Sequence, residues 1–255
     1  MPKLQDKRIL VTGASKGLGA VVAPALAEQG ARLVLAARTR DRLEAVRHAC
    51  RFPERHLSIS LNLLDMEELH TGVQRAQEFL GGIDVVLHSA GGGLGFREPL
   101  LASKEFLQLF TLNLGAVAEI NRLVVPEMKT RRSGNLVHVG SIASSEGVGS
   151  VGYNTVKAGL AAYVRTLGRE LAAFDVVATG ILPGGFSAPG NAMERLKENN
   201  PEAYRKFVEE RLPRKVMGQA REIIPILLVL CSEDASMMGG CMVPIDAAEG
   251  KAYSL

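Results

Sequence analysis

Apolar positions along the chain alternate between two patterns. Short, nearly unbroken apolar runs of strand length recur, and between them apolar residues return at helical spacing. Strands are expected at 8–12, 32–36, 57–61, 83–89, 135–139, 176–182 and 242–245, with helical stretches in the gaps. Runs buried on both faces and joined by helices predict βαβ units. The fold class expected is therefore α/β, a doubly wound, seven-stranded parallel sheet with helices on both faces. Two helix starts are readable: Asp65 and Glu68 have capping-box spacing, and Ser103 precedes the amphipathic run of Phe106, Phe110, Val117 and Ile120.

Residues 184–217 break the alternation. They open as Gly184-Gly185-Phe186-Ser187-Ala188-Pro189-Gly190 and continue as a charged helical stretch. A long insertion entered through glycines, between a strand and the next helix, reads as a lid over the carboxyl ends of the strands. The alternative is a surface helix pair with no gating role.

Composition narrows the classes. The 255 residues are 47% hydrophobic and 22% charged, as in an ordinary soluble globular protein, and suit one domain over 1–255. A net charge of +3 is too small to argue for nucleic acid or an anionic membrane. The cluster Lys129-Thr130-Arg131-Arg132 is explained by a helix dipole rather than by nucleic-acid binding. No apolar run approaches the length of a membrane span, Met1 to Lys7 lacks the apolar core of a signal peptide, and Lys251 to Leu255 is not a Ser-Lys-Leu address. A cytoplasmic location is expected. Cys50, Cys231 and Cys241 are far apart and read as reduced thiols in helix and strand interiors, and no histidines stand at i, i+4, so no metal is assigned.

The chemistry starts where the first strand runs into Thr12-Gly13-Ala14-Ser15-Lys16-Gly17-Leu18-Gly19. Glycines at a strand-to-helix junction allow close backbone approach, and the helix N-terminus favours a pyrophosphate. Gly13, Ser15, Lys16, Gly17, Leu18 and Gly19 are the expected dinucleotide contacts. The second strand ends Ala36-Ala37-Arg38, with no acid to accept hydrogen bonds from ribose hydroxyls. Arg38 offers a planar fork to a 2′-phosphate and Lys16 a second charge, so NADP(H) is expected over NAD(H). Both are otherwise solvated loop cations.

Tyr153 and Lys157 lie four apart on an apolar helical stripe with Leu160, Val164, Leu167 and Leu171. An ammonium on such a stripe is costly unless partners compensate. A nearby ammonium is expected to lower the phenol pKa of Tyr153 and fit it for general acid and base work. Ser141 follows a strand's carboxyl end, where its hydroxyl could hold and polarise a carbonyl. Asn113 sits on the stripe of Phe106, Phe110, Val117, Ile120 and Val124, where a buried amide either ties down backbone or holds a water.

Together, Thr12-Gly-x3-Gly-x-Gly19, His88-Ser89-Ala90-Gly91, Asn113, Ser141, Tyr153-x3-Lys157 and Pro183-Gly184 resemble the short-chain dehydrogenase/reductase family over nearly the whole chain. The resemblance implies a Rossmann fold. It implies that Tyr153 is the proton donor in carbonyl reduction, that Ser141 positions the carbonyl, and that Lys157 lowers the tyrosine pKa and binds the nicotinamide ribose. It makes Asn113 the holder of a relay water. By the same resemblance Gly91, beside Ala90, and the loop Pro183, Gly184 to Phe186 line the nicotinamide, and Asn62, beside Leu63, approaches the adenine. The chain departs from the usual family pattern at His88-Ser89, where Asn-Asn is common.

The function expected is an NADP(H)-dependent oxidoreductase interconverting a ketone and a secondary alcohol. A 3-oxoacyl thioester is one substrate, with acyl carrier protein docked by Lys129, Arg131, Arg132, Arg205 and Lys206 near the mouth. A sugar, polyketide or steroid ketone is the alternative, and a non-catalytic NADP(H)-binding regulator a more distant one. The resemblance also implies a homotetramer or homodimer, packed through the helices bearing Asn113 and Tyr153.

Overall fold

The computed structural model describes residues 4–252, so the expectations placed on Met1 to Lys3 and on Tyr253 to Leu255 lie outside the described residues. A 7-stranded parallel sheet forms the centre, in the order β3-β2-β1-β4-β5-β6-β9. Its strands are β1 (Arg8–Thr12), β2 (Arg32–Ala37), β3 (Leu57–Ser60), β4 (Val85–His88), β5 (Gly134–Val139), β6 (Val176–Pro183) and β9 (Met242–Ile245). All seven expected strands are present. The expected 83–89 run is trimmed to four paired residues, because Ser89 already turns its N–H back to Leu87 O.

The chain lays down β1, β2 and β3 in one direction, then returns to place β4 on the other side of β1. That reversal opens a crevice at the carboxyl ends of β1 and β4, where ligands of doubly wound folds bind. Helices cover both faces. On one lie α1 (Gly17–Glu28), α2 (Arg40–Ala49) and α9 (Ala220–Leu230), around Val22, Leu26, Leu43, Ile223 and Leu227. On the other lie α3 (Met66–Leu80) and α5 (Ala116–Arg131), around Leu69, Val73, Ile120 and Val124. Short α4 (Ser103–Phe110) and long α6 (Val151–Leu171) complete that side.

Local chemistry sets the helix starts with two departures from expectation. Asp65 caps α3, accepting from Glu67 N and Glu68 N, but Glu68 reaches past the cap to accept from Asn62 N at 2.7 Å. Ser103 is the first residue inside α4, and the N–H of Ala102 before it is bound by Glu105 at 3.1 Å. Between α4 and α5 the helix widens into one π-helical turn, Thr111–Gly115. The extra residue rotates the upstream face, so Leu109 is buried in place of the expected Phe110, which is 43% exposed. The thiols also divide: Cys50 and Cys231 are buried at helix ends, whereas Cys241 is exposed in the loop before β9.

Residues 184–217 form two helices, α7 (Ala192–Asn199) and α8 (Pro201–Arg211), neither with a fully buried residue. A two-residue strand at each end, β7 (Phe186–Ser187) and β8 (Gly218–Gln219), zips the segment's base together. Among the described residues no helix is long and apolar enough to cross a membrane.

Candidate active site

The loop after β1 lies flat on the exit of β4. Gly13 has φ +68°, and a Cβ there would stand 2.7 Å from the backbone of Ala90. Lys16 occupies the cap position of α1 without a side-chain cap, and the first N–H groups of a helix have no intrahelical acceptor. The one on Gly17 goes to Pro189 O at 2.7 Å, in the 184–217 segment. Leu18 and Gly19 are buried, and a Cβ on Gly19 would meet Ser89 Oγ, a buried hydroxyl without a hydrogen-bond partner.

At the end of β2, Arg38 is exposed, and Arg42 follows in the first turn of α2. Lys16 is pulled below its ordinary pKa by burial and then by the charges of Arg195, Arg38 and Arg42. Among the described residues none of these four cations has an ion-pair partner. Asn62 folds onto its own loop, accepting from Leu64 N at 3.2 Å, and Leu63 is buried. A flat glycine loop, an unpartnered hydroxyl on its floor and cations without ion-pair partners fit a dinucleotide carrying several phosphates.

Across the crevice, Ser141 stands just past β5 and Tyr153 and Lys157 one turn apart on α6. Ser141 Oγ accepts from Ala143 N at 3.1 Å and lies beside the Tyr153 phenol, whose pKa it lowers. Lys157 is 3% exposed and donates from Nζ to Val139 O at 2.9 Å, with Nζ 5.8 Å from the Tyr153 ring centre. Burial brings its pKa down to about 8. Burial also raises the Tyr153 phenol above its ordinary value, and the Ser141 hydroxyl pulls it back. The lowering expected from Lys157 is thus not the net result, because burial outweighs the Ser141 interaction that opposes it.

The Asn113 side chain ties down backbone. Within the π-turn its amide accepts from Gly92 N at 3.0 Å and donates to Gly92 O at 3.0 Å and Leu109 O at 2.9 Å. Gly91 is thereby pressed between Asn113 and Lys157: a Cβ on it would stand 2.9 Å from Asn113 Oδ1 and 3.2 Å from Lys157 Nζ.

Below these groups runs a buried polar seam that no spacing rule announces. His88 and His138 are register partners on β4 and β5, with rings stacked at 4.8 Å. The hydrogen bonds admit one consistent sense. His88 Nε2–H donates to Asn121 Oδ1 (2.8 Å), Asn121 Nδ2–H to His138 Nε2 (3.3 Å), and His138 Nδ1–H to Thr179 O (2.9 Å). Asn121 also donates to Tyr163 Oη at 3.1 Å. Burial holds His88 well below its ordinary pKa and brings His138 down to about 4. Both rings are therefore neutral one residue from the carbonyl that holds Lys157 and three from Gly91.

Pro183 ends β6, and Gly184 N bonds Ile245 O at 3.1 Å. Buried Glu249 accepts from Gly185 N at 2.5 Å and pairs with Arg211 of α8 at 2.5 Å, tying the tail to both ends of the inserted segment. Phe186 O receives Asn191 Nδ2 at 2.7 Å. The expected docking cations separate. Arg131 and Arg132 pair with Asp84, Glu127 and Asp175, and Lys129 lies over the Phe174 ring. These three sit at the amino end of β5, about 20 Å of strand from Ser141, because α5 runs antiparallel to the sheet. Only Arg205 and Lys206, exposed on α8, are on the side of the crevice.

A family model described as short chain dehydrogenase matches residues 7–199. The 3-oxoacyl-[acyl-carrier-protein] reductase FabG of Aquifex aeolicus is 29% identical over 250 residues, covering 96% of this chain and 97% of that one. Levodione reductase of Leifsonia aquatica is 30% identical over 260 residues, covering 98% and 97%. Among solved structures, L-sorbose reductase from Gluconobacter frateurii, complexed with NADPH and L-sorbose, is 25% identical with a TM-score of 0.88 over 99% of this chain and 100% of that one.

Proposed function

The chain belongs to the short-chain dehydrogenase family, and on that premise we propose an NADP(H)-dependent enzyme that interconverts a ketone and a secondary alcohol. The observation that carries the reading is the half-buried Tyr153, its phenol beside Ser141 and its ring 5.8 Å from an ammonium fixed on Val139 O. A nicotinamide dinucleotide supplies or accepts the hydride. The residues of the chain handle the pose and the proton. Ser141 Oγ hydrogen-bonds the substrate oxygen, and the Tyr153 hydroxyl gives that oxygen its proton in reduction or takes it in oxidation. Lys157, with a pKa near 8, is mostly cationic at neutral pH and stabilises the phenolate left behind. Asn113 holds the Gly91–Gly92 backbone against Lys157. The unpaired Lys16 and Arg38 select the phosphorylated dinucleotide.

The substrate favoured is a 3-oxoacyl thioester. The loop after β4 and the first turn of α6, which flank Tyr153, expose Leu94 and Val151, suited to an apolar chain, and Arg205 and Lys206 offer charge to an acidic carrier protein. The relatives named for levodione and L-sorbose keep compact cyclic ketones and sugars as the alternative. Residues 184–217 act as the lid. A cytoplasmic homodimer or homotetramer completes the proposal, supported by the apolar face of α4, where Leu107 is 62% exposed.

Nicotinamide fluorescence titrations with NADPH and NADH, on the native chain and on Tyr153→Phe, followed by a panel of ketones and acyl carrier thioesters, test the reading. Tyr153→Phe is expected to bind NADPH normally and lose kcat by about 10²–10⁴-fold. Preferential NADH binding, or a variant that turns over normally, overturns it.

A further inference from the structure

The cations around the first loop come from three separate elements, and one of them is the inserted segment. Lys16 caps α1, Arg38 and Arg42 follow β2, and Arg195 stands on α7. Like charges brought together without ion-pair partners disfavour the fold unless an anion joins them.

Arg195 is held there by a chain of specific contacts. Asn191 caps α7 through Met193 N (3.1 Å) and Glu194 N (3.0 Å) and fixes the helix to Phe186 O. The Arg195 guanidinium donates from Nη1 to Gly190 O at 2.5 Å. Gly190 lies against Lys16, since a Cβ on it would stand 3.8 Å from Lys16 Cβ and Cδ. Pro189, the residue before, receives the Gly17 N–H. Three successive links thus run from the glycine loop to Arg195.

Among the described residues no carboxylate forms an ion pair with these four cations. Glu194 remains anionic but turns to Gly190 N at 2.8 Å and the Ser187 hydroxyl at 3.4 Å, and Glu44 of α2 pairs with Arg47. Of the three charges that depress the Lys16 ammonium, Arg195 weighs most, ahead of Arg38.

We infer that Arg195 is a binding residue for the 2′-phosphate of the dinucleotide, shared with Lys16 and Arg38, so that the inserted segment closes on NADP(H) and not on NAD(H). The inference rests on the cofactor reading under Proposed function. It makes the segment a reader of the cofactor's phosphate as well as a cover for the substrate.

The test titrates NADPH and NADH into the native chain, Arg38→Ala, Arg195→Ala and Arg195→Lys, with trypsin cleavage within α7 and α8 as a second readout. Arg195→Ala is expected to weaken NADPH about tenfold and leave NADH within about twofold. Arg195→Lys recovers part of the loss, and NADPH, but not NADH, protects the segment from trypsin in the native chain. Equal losses for both dinucleotides would assign Arg195 to the pyrophosphate and overturn the inference. Selective loss in Arg38→Ala with none in Arg195→Ala overturns it while the NADP(H) reading stands. No selectivity in Arg38→Ala or in the native chain removes both. Unchanged far-ultraviolet circular dichroism confirms that exposed position 195 tolerates the changes.

Discussion

The carboxyl ends of β4 and β5 and the carboxyl end of β2 belong to one sheet, yet they treat polar groups in opposite ways. At β4 and β5, His88, Asn121, His138 and Thr179 satisfy one another in a buried line, neutral and nearly closed, with only His88 Nδ1 unpartnered. At β2 the charged groups Arg38 and Arg42 are exposed, and among the described residues neither has an ion-pair partner. A network that completes itself holds backbone in place, here the strand ends that carry Val139 and Gly91. Charge left incomplete is directed at something outside the chain.

The strongest way to break this contrast is to open the seam. His138→Ala strips partners from Asn121 and Thr179 O and leaves a cavity, and it is expected to cost about 3 kcal/mol of stability, read as a denaturant midpoint shift. A gentler route is acid. With a folded pKa of about 4 against an ordinary 6.5, His138 binds a proton more weakly in the fold than in the unfolded chain. Stability contributed by the neutral ring is complete above pH 6.5 and is lost as pH falls toward 4, by about 3 kcal/mol at most. Thermal scans across that window should show the decline in the native chain and a shallower one in His138→Asn. Replacing Arg38 by Ala sharpens the other side. NADPH affinity should fall about tenfold, while the melting temperature of the free chain stays the same or rises slightly.

The two regions also differed in how far the sequence disclosed them. The seven strands were legible because the inner ones are short apolar runs buried on both faces and the half-buried edge strands β3 and β9 keep strand length, and the glycine loop and the Tyr153–Lys157 pair because their spacings are local. Arg38 was legible from the missing acid. The seam was not, since it depends on the register that sets His88 opposite His138; its only trace is that each histidine ends or nearly ends its strand. Arg195 lies more than 150 residues from Lys16 and is joined to it only by the fold. The misplaced docking cations had a usable signal, because a helix returning between parallel strands must finish at their amino ends. The π-turn had none: one extra residue changes no composition and only shifts the phase of the apolar stripe.

That turn also sets a limit on how the gene encoding this chain can drift. Deleting any single codon within 111–115 would restore a smoother and intrinsically better helix, so selection for helix stability alone would welcome it. Each helical residue advances about 100°, however, and the loss would turn everything before the deletion relative to α5, removing Asn113 or breaking the phase that holds it between Gly92 and Leu109. The region should accept substitutions far more readily than changes of length, and the irregularity persists because the neighbouring loop depends on its phase.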